Sequence, residues 1–517
     1  MLKIPVCLLG VCLAAASQSA RVESPRALLA KAIDAVGGES ALKSITSLQI
    51  EAIGHDYFIE QSERPEGPFI VRYLQTSEKR DVAGGRSRIE SQQRFMQVPD
   101  WAGAGAATIV DADTAALSRG ERFAPSGRQA FDDGRERIEL GPERVLLTAL
   151  AASDLASAPD VRVHGINQKV VTFGWRGKHA RLMLDSADFV PTALEVSAED
   201  TFGVWGTVRQ TTYYSLWTLI AGGVRYPLQV DRDWNGVTKS SATIMKIAVN
   251  QAFDENTFAI PDEVKKAFAA APVTGFATMK LDTEKQRVDI APGGGAHGAA
   301  VVQYGGNWNV GVVEQPDGLV IIEAPIGSHY SVQVLDEVAK RYPGARVKAI
   351  VTTSDAWPHL GGVREYVARG IPVYGLDLNQ PILDRLLKAN YSTKPDALAR
   401  APKPARFTWV PAHRSLGEGG SARTVIGTGD TRLELYPIRG ENGERMMAAY
   451  FPALKLLYTS DEIQRQRGGG FFMPELLLEV RDLIQREHLD VDRVFGMHIG
   501  SIPWSEIEAA IAKASGR

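Results

Sequence analysis

Short runs of alternating apolar and polar residues mark the chain from about residue 48 to residue 247. They stand at 48–53, 69–73, 161–164, 170–173, 180–184, 204–214 and 242–247, with turn-forming residues between them. A period of two puts successive side chains on opposite faces, so these runs predict a large antiparallel sheet. Ahead of them, Leu28, Leu29, Ala32, Ile33 and Val36 share one side of a helix predicted over 26–37, which Gly37 and Gly38 end. One further helix, over 143–152, interrupts the strands. Residues 270–292 mix charge, alanine and proline and read as a connector whose flexible end is the Gly-rich stretch 291–295. Beyond it the pattern changes. Strand-like runs at 299–304, 309–314, 319–322 and 347–351 now alternate with helical patterns at 331–341, 362–369, 380–387 and 474–487.

That change of pattern divides the chain. Its 517 residues are too many for one ordinary domain. The predicted division is a β-rich domain over 24–265, a linker over 266–292 and a second domain over 293–517. A hydrophobic fraction of 44% and a charged fraction of 23% are those of a soluble globular protein. A net charge of −3 supplies no electrostatic footprint for nucleic acid or an anionic membrane. No apolar run is long enough for a membrane-spanning helix, so no transmembrane segment is expected. Residues 1–20 read as a secretory signal peptide: Lys3 carries the charge, 4–16 are apolar, and 17–20 are small or polar residues suited to cleavage. Export to the periplasm or beyond is therefore expected. Cys7 and Cys12 both lie in that segment, so the mature chain would hold no disulfide and no thiolate ligand.

The most informative stretch is 351–362, Val-Thr-Thr-Ser-Asp-Ala-Trp-Pro-His-Leu-Gly-Gly, which closes an apolar strand run and opens a helix. It resembles the strand–loop–helix junction of the metallo-β-lactamase superfamily, which carries H-x-H-x-D-H followed by Gly-Gly. His359 matches the last histidine of that motif. Ser354 and Ala356 stand where the first two histidines belong, and Pro358 stands at the aspartate. None of these three side chains offers an imidazole or carboxylate to a metal. Other stretches resemble the same family in order and spacing. Residues 317–325 look like its early strand pair, with Glu323 where aspartate is usual. Residues 450–461 resemble the strand that ends in Gly-Asp, with Ser460 in place of the glycine. Residues 439–445 sit where a Gly-His pair belongs, Asn442 being the nearest match, and 491–498 resemble the terminal strand that ends on a metal-binding histidine.

The first half resembles the half-barrel of outer-membrane lipoprotein carriers, on Leu184-Asp185 and the stretches 191–195, 222–227 and 253–261. That resemblance implies a sheet face able to hold an apolar ligand, with Trp175, Trp205, Trp217 and Trp234 either lining it or packing the sheet against its helix. The fold class implied is α+β in two domains, an antiparallel half-barrel followed by an αββα sandwich.

Carried over residue by residue, the family's three-histidine metal site would fall on Ser354, Ala356 and Asn442, and it is lost. The second site keeps His359 and His498, with Asp461 at the bridging carboxylate. Asp355, four residues before His359, is a fourth candidate, brought inward either by a helical turn or by the loop itself. Two imidazoles with one or two carboxylates suffice for one Zn2+ or another divalent ion with an open position. Asp355, His359 and Asp461 are the candidate catalytic residues, with either aspartate open to serve as ligand or as base. His297 in its glycine loop, Asn442 and Trp357 are candidate substrate contacts. Two readings follow. One is an exported hydrolase with an altered mononuclear site acting on a small molecule, an apolar one included. The other is a non-catalytic periplasmic binding or carrier protein, binding no metal, in which these histidines are packed core residues. Neither substrate nor oligomeric state is written in the sequence.

Overall fold

A computed structural model describes residues 23–59, 69–95, 103–199, 205–270, 279–281, 288–291, 301–304, 308–412, 423–440, 443, 445–466 and 469–516. The expected signal segment, His297 and Asn442 lie outside the described residues.

The alternating half folds as expected into one large antiparallel sheet, of 13 strands. Its first strand, Ser47–Tyr57, pairs on one side with Val71–Asp81 and on the other with the last strand, Val237–Val249. All other neighbours are consecutive in the chain, so the sheet is a run of hairpins joined through that single pairing. The helix Pro25–Ala35 begins where the Ser24 side chain accepts a hydrogen bond from the Ala27 amide at 3.2 Å, with Pro25 in the first turn. It buries Leu28, Leu29, Ala32 and Ile33 together with Val145, Leu146 and Ala149 of a second helix, Val145–Ala151, against Val171, Phe173, Leu182 and Leu194 of the sheet. Removing that apolar area from water is the main favourable term, roughly 25 cal/mol per Å².

One helix escaped the sequence pattern. The single helix expected over 143–152 is preceded by another, Arg128–Leu140. Its buried positions include Arg135 and Glu136 beside Phe131, Ile138 and Leu140, so charge masked the apolar period.

The second half builds two smaller sheets. The seven-stranded one starts antiparallel and turns parallel at Gly318–Ile322, Val347–Val351, Val373–Leu376 and Phe407–Val410. The strand Val288–Ala291 is its first edge strand, so the expected linker 266–292 delivers a strand into this sheet. The six-stranded sheet is antiparallel except between Leu456–Tyr458 and Arg493–Gly496. Val313, Ile322 and Val351 of one sheet share a core with Leu435, Ala449 and Phe495 of the other. Helices cover the outer faces. Ser328–Arg341, Val363–Ala368 and Gln380–Lys388 pack on the seven-stranded sheet through Val334, Tyr366 and Leu383. Pro474–Arg486 and Trp504–Ala514 pack on the six-stranded one through Val480, Leu483 and Ile507.

One tight contact between the halves lies at Gly206. Gly206, at φ +66°, lies so close to Asn390 that a Cβ would sit 2.1 Å from its carbonyl oxygen. The Thr207 amide donates to the Asn390 carbonyl at 2.5 Å, and Trp205 beside them joins the core under the helices of the second half. Trp205 and Trp234 line a cavity in the first half, whereas Trp175 is core and Trp217 packs against that core.

Candidate functional site

Three of the expected residues come together. The loop after Val347–Val351 leads into the short helix Trp357–Leu360, which carries His359. Asp461 follows Leu456–Tyr458, and His498 follows Arg493–Gly496. Each thus lies just beyond the carboxyl end of a parallel-paired strand, the end at which ligands gather in sheets of this kind. One ligand atom from each of His359, Asp461 and His498 lies within 4.8 Å of the others, an arrangement that could hold a metal ion. Asp461 stands between the two rings, with Oδ2 3.7 Å from His359 Nε2 and Oδ1 3.2 Å from His498 Nε2. Gln464 Nε2 donates to the same Oδ1 at 2.7 Å and holds the carboxylate in place.

Local packing explains how the three side chains are aimed. Gly362 lets the loop close on the neighbouring turn, because a Cβ there would fall 2.1 Å from Ser331 Oγ and 2.9 Å from the Ala324 carbonyl. Ser354 and Ala356 are buried, and the Ala356 amide donates to Ser354 Oγ at 3.0 Å. Ser460 adopts φ 53°, a left-handed conformation that glycine takes without strain. Asn309 clamps the turn bearing His498, its amide nitrogen donating to the carbonyls of Gly496 and Ile499 at 2.9 and 3.2 Å. Trp308, next to it, meets both rings edge-on, with centroids 5.6 Å from His359 and 4.9 Å from His498.

The electrostatics suit a neutral imidazole. Burial pushes His359 down to about 4, although Asp461 opposes that shift, so the ring is uncharged at neutral pH. A neutral ring is the form that binds metal. Its Nδ1 is buried and has no hydrogen-bond partner among the described residues.

Asp355 is placed elsewhere. It is buried, and its Oδ2 lies 3.3 Å from Arg445 Nη1, outside the cluster of three. Arg445 is braced in turn by Asn379, to whose Oδ1 it donates at 3.1 Å. The helical turn that would have aligned Asp355 with His359 begins only at Trp357, which explains the difference. The expected contacts of His297, Asn442 and the Trp357 side chain fall outside the described part of the chain.

Two acids beside the cluster were not among the site residues expected from the sequence. Glu323 ends the strand Gly318–Ile322 at φ 76°, is fully buried, and accepts hydrogen bonds from Thr353 and, at 3.2 Å, from the Tyr458 hydroxyl. Burial raises it to about 8, with the Asp461 charge adding to the shift. Glu462 is also fully buried, and burial followed by Glu479 pushes it well above the carboxylate range. Glu323 carried a sequence signal, since it lies in a stretch that resembles a known strand pair; Glu462 and Trp308 carried none.

No family model matches the chain, and no curated protein matches it. Among solved structures it is similar to a metallo-β-lactamase from Pontibacter korlensis, at 17% identity over 46% of this chain and 98% of that one, with a TM-score of 0.30. It is also similar to FIM-1 from Pseudomonas aeruginosa in its mono-zinc form, at 12% identity over 45% and 98%, TM-score 0.31. A third is the sec-alkylsulfatase Pisa1 from Pseudomonas sp., at 15% identity over 44% of this chain and 40% of that one, TM-score 0.31.

Proposed function

We propose that the chain is a hydrolase whose site is built on His359, Asp461 and His498 and takes a single divalent metal ion. The observation that carries this reading is the convergence of two imidazoles and one carboxylate within 4.8 Å. The donor set fits zinc, for which three protein ligands and one open position make a catalytic site. When bound, such an ion supplies Lewis acidity toward a carbonyl, phosphoryl or sulfuryl oxygen. The chain's own residues do the rest. His359 is held neutral by burial, Asp461 is fixed by Gln464, and Trp308 walls the two rings. The positions of the lost three-histidine site hold Ser354 and Ala356, which are buried and offer no imidazole, so one ion is the expected number. Asp355 is assigned to Arg445 rather than to the metal. Secretion through residues 1–20 belongs to the same proposal, as does a small-molecule substrate.

Elemental analysis of protein purified without chelators is the direct test. About one ion per chain is expected in the wild type and almost none in His359→Ala, with the fold retained. A panel of ester, lactone, phosphoester and sulfate-ester substrates should show turnover in the wild type that His359→Ala abolishes. Two ions per chain, no ion even after reconstitution, or turnover that survives in His359→Ala would each overturn the reading.

A further inference from the structure

Behind the three ligands, side chains from three separate strand ends meet. Glu323 follows the strand Gly318–Ile322, Thr353 stands just past Val347–Val351, and Ser460 just past Leu456–Tyr458. All three are fully buried. Glu323 Oε1 accepts hydrogen bonds from the Thr353 amide at 3.2 Å, from the Thr353 hydroxyl, and from the Tyr458 hydroxyl at 3.2 Å. Thr353 Oγ1 also lies 2.8 Å from Ser460 Oγ. A hydroxyl has one hydrogen, so with Thr353 donating to the carboxyl group, Ser460 donates to Thr353. One carboxyl oxygen thus gathers all three strand ends.

Those strand ends lead to the ligands. Thr353 lies on the loop into the helix Trp357–Leu360, which carries His359. Ser460 directly precedes Asp461. The Ser460 carbonyl accepts the Met497 amide at 2.9 Å, and Met497 directly precedes His498. Ser460 therefore ties Asp461 to His498 through its backbone, and ties both to the His359 loop through its hydroxyl.

Backbone strain falls on the same group. Glu323 and Ser460 both hold positive φ, at 76° and 53°. Such a conformation is costly for a residue with a side chain and persists where the surroundings over-determine it. The surroundings here are hydrogen bonds on both sides. The Glu323 amide donates to the Val351 carbonyl at 2.8 Å, and the Met447 amide to the Thr353 carbonyl at 2.9 Å. Without the Glu323 oxygen, the Thr353 amide and the Thr353 and Tyr458 hydroxyls would lose a buried acceptor. Buried donors must be paired, so these segments would move to find other partners.

We propose that Glu323 is a positioning residue of the metal site, its carboxyl oxygen setting the mutual placement of His359, Asp461 and His498 through Thr353, Tyr458 and Ser460. The assignment rests on metal binding at those three side chains, and adds what holds them at ligand distance before an ion arrives.

The test is the zinc affinity of the full-length protein after chelator treatment, measured by competition with a chromophoric chelator. The absorption spectrum of the cobalt(II)-loaded form is a second readout. Glu323→Ala should bind zinc about 10–100-fold more weakly than the wild type and alter the cobalt spectrum. Glu323→Gln keeps a carbonyl acceptor in the same place and should stay within about threefold of the wild type. Leu483→Ala, which opens a cavity under the helix Pro474–Arg486, should lose stability yet bind zinc as the wild type does. Should Glu323→Ala fail to fold, Thr353→Val, which removes one hydroxyl at nearly constant shape, is expected to weaken zinc about tenfold. Wild-type affinity in folded Glu323→Ala or in Thr353→Val would overturn the positioning role. So would a loss of about tenfold or more in Glu323→Gln, or an equal weakening in Leu483→Ala. A wild type that takes up no zinc would instead remove the metal site itself, and this role with it.

Discussion

Replacing Arg445 by methionine separates the two roles open to Asp355. The Arg445 and Asp355 side chains are 6% and 5% exposed, and Nη1 stands 3.3 Å from Oδ2. At that separation and an effective dielectric of about 20, the Coulomb attraction is about 5 kcal/mol. Desolvation offsets part of it in the intact pair. Removing one partner leaves a buried carboxylate without that counter-charge, which typically costs about 3–5 kcal/mol. In a unit of about 200 residues, each kcal/mol lowers the melting temperature by about 2–4 °C, so Arg445→Met should lower it by roughly 6–20 °C. The double variant Asp355→Asn, Arg445→Met removes the stranded charge and should recover more than half of that loss. Scanning calorimetry on the two single variants, the double variant and the wild type provides the cycle. Metal content measured on Asp355→Asn supplies the functional half of the answer and should equal the wild type. A shift of less than 2 °C in Arg445→Met would show that the pair contributes little. Loss of metal in Asp355→Asn would show that Asp355 is a ligand after all.

Glu323 provides a pH test. Its pKa is raised to about 8 in the fold, against about 4.3 in an unfolded chain, so the folded state binds the extra proton between those values. Its contribution to stability is fully present below about pH 4 and is lost as pH rises through about 8, so Glu323→Gln should flatten the pH dependence and be the more stable protein at pH 8. Urea midpoints for both proteins at pH 5, 7 and 8 check this, and parallel curves would refute it. Leu483 is fully buried beneath the helix Pro474–Arg486. Leu483→Ala should cost about 2–5 kcal/mol, read as a lower thermal midpoint, and should leave metal content unchanged.

The elements most legible in the sequence were those with a clean period. The strand expected at 347–351 and the helix expected at 474–487 were found as Val347–Val351 and Pro474–Arg486. The helix Arg128–Leu140 was missed because tertiary structure buries Arg135 and Glu136, which local pattern assigns to solvent. In the site, His359, Asp461 and His498 were nameable because each follows a recognisable strand stretch. Asp355 lies outside that cluster, because its direction depends on where a helical turn begins.

What the sequence determined by itself was chiefly local: which segments alternate, where glycines permit close approach, and which residue types stand at strand ends. Those follow from chain geometry, which acts over a few residues. Tertiary structure decided the rest, because contacts between distant segments have no local signature. It gave Arg445 to Asp355, set Trp308 against two imidazoles, and buried Glu323 and Glu462 deep enough to shift them. It also joined Glu323, Thr353 and Ser460, which stand far apart in the chain, into one hydrogen-bonded group. Burial and charge are properties of an assembled environment, and the chain acquires them only when the sheets close.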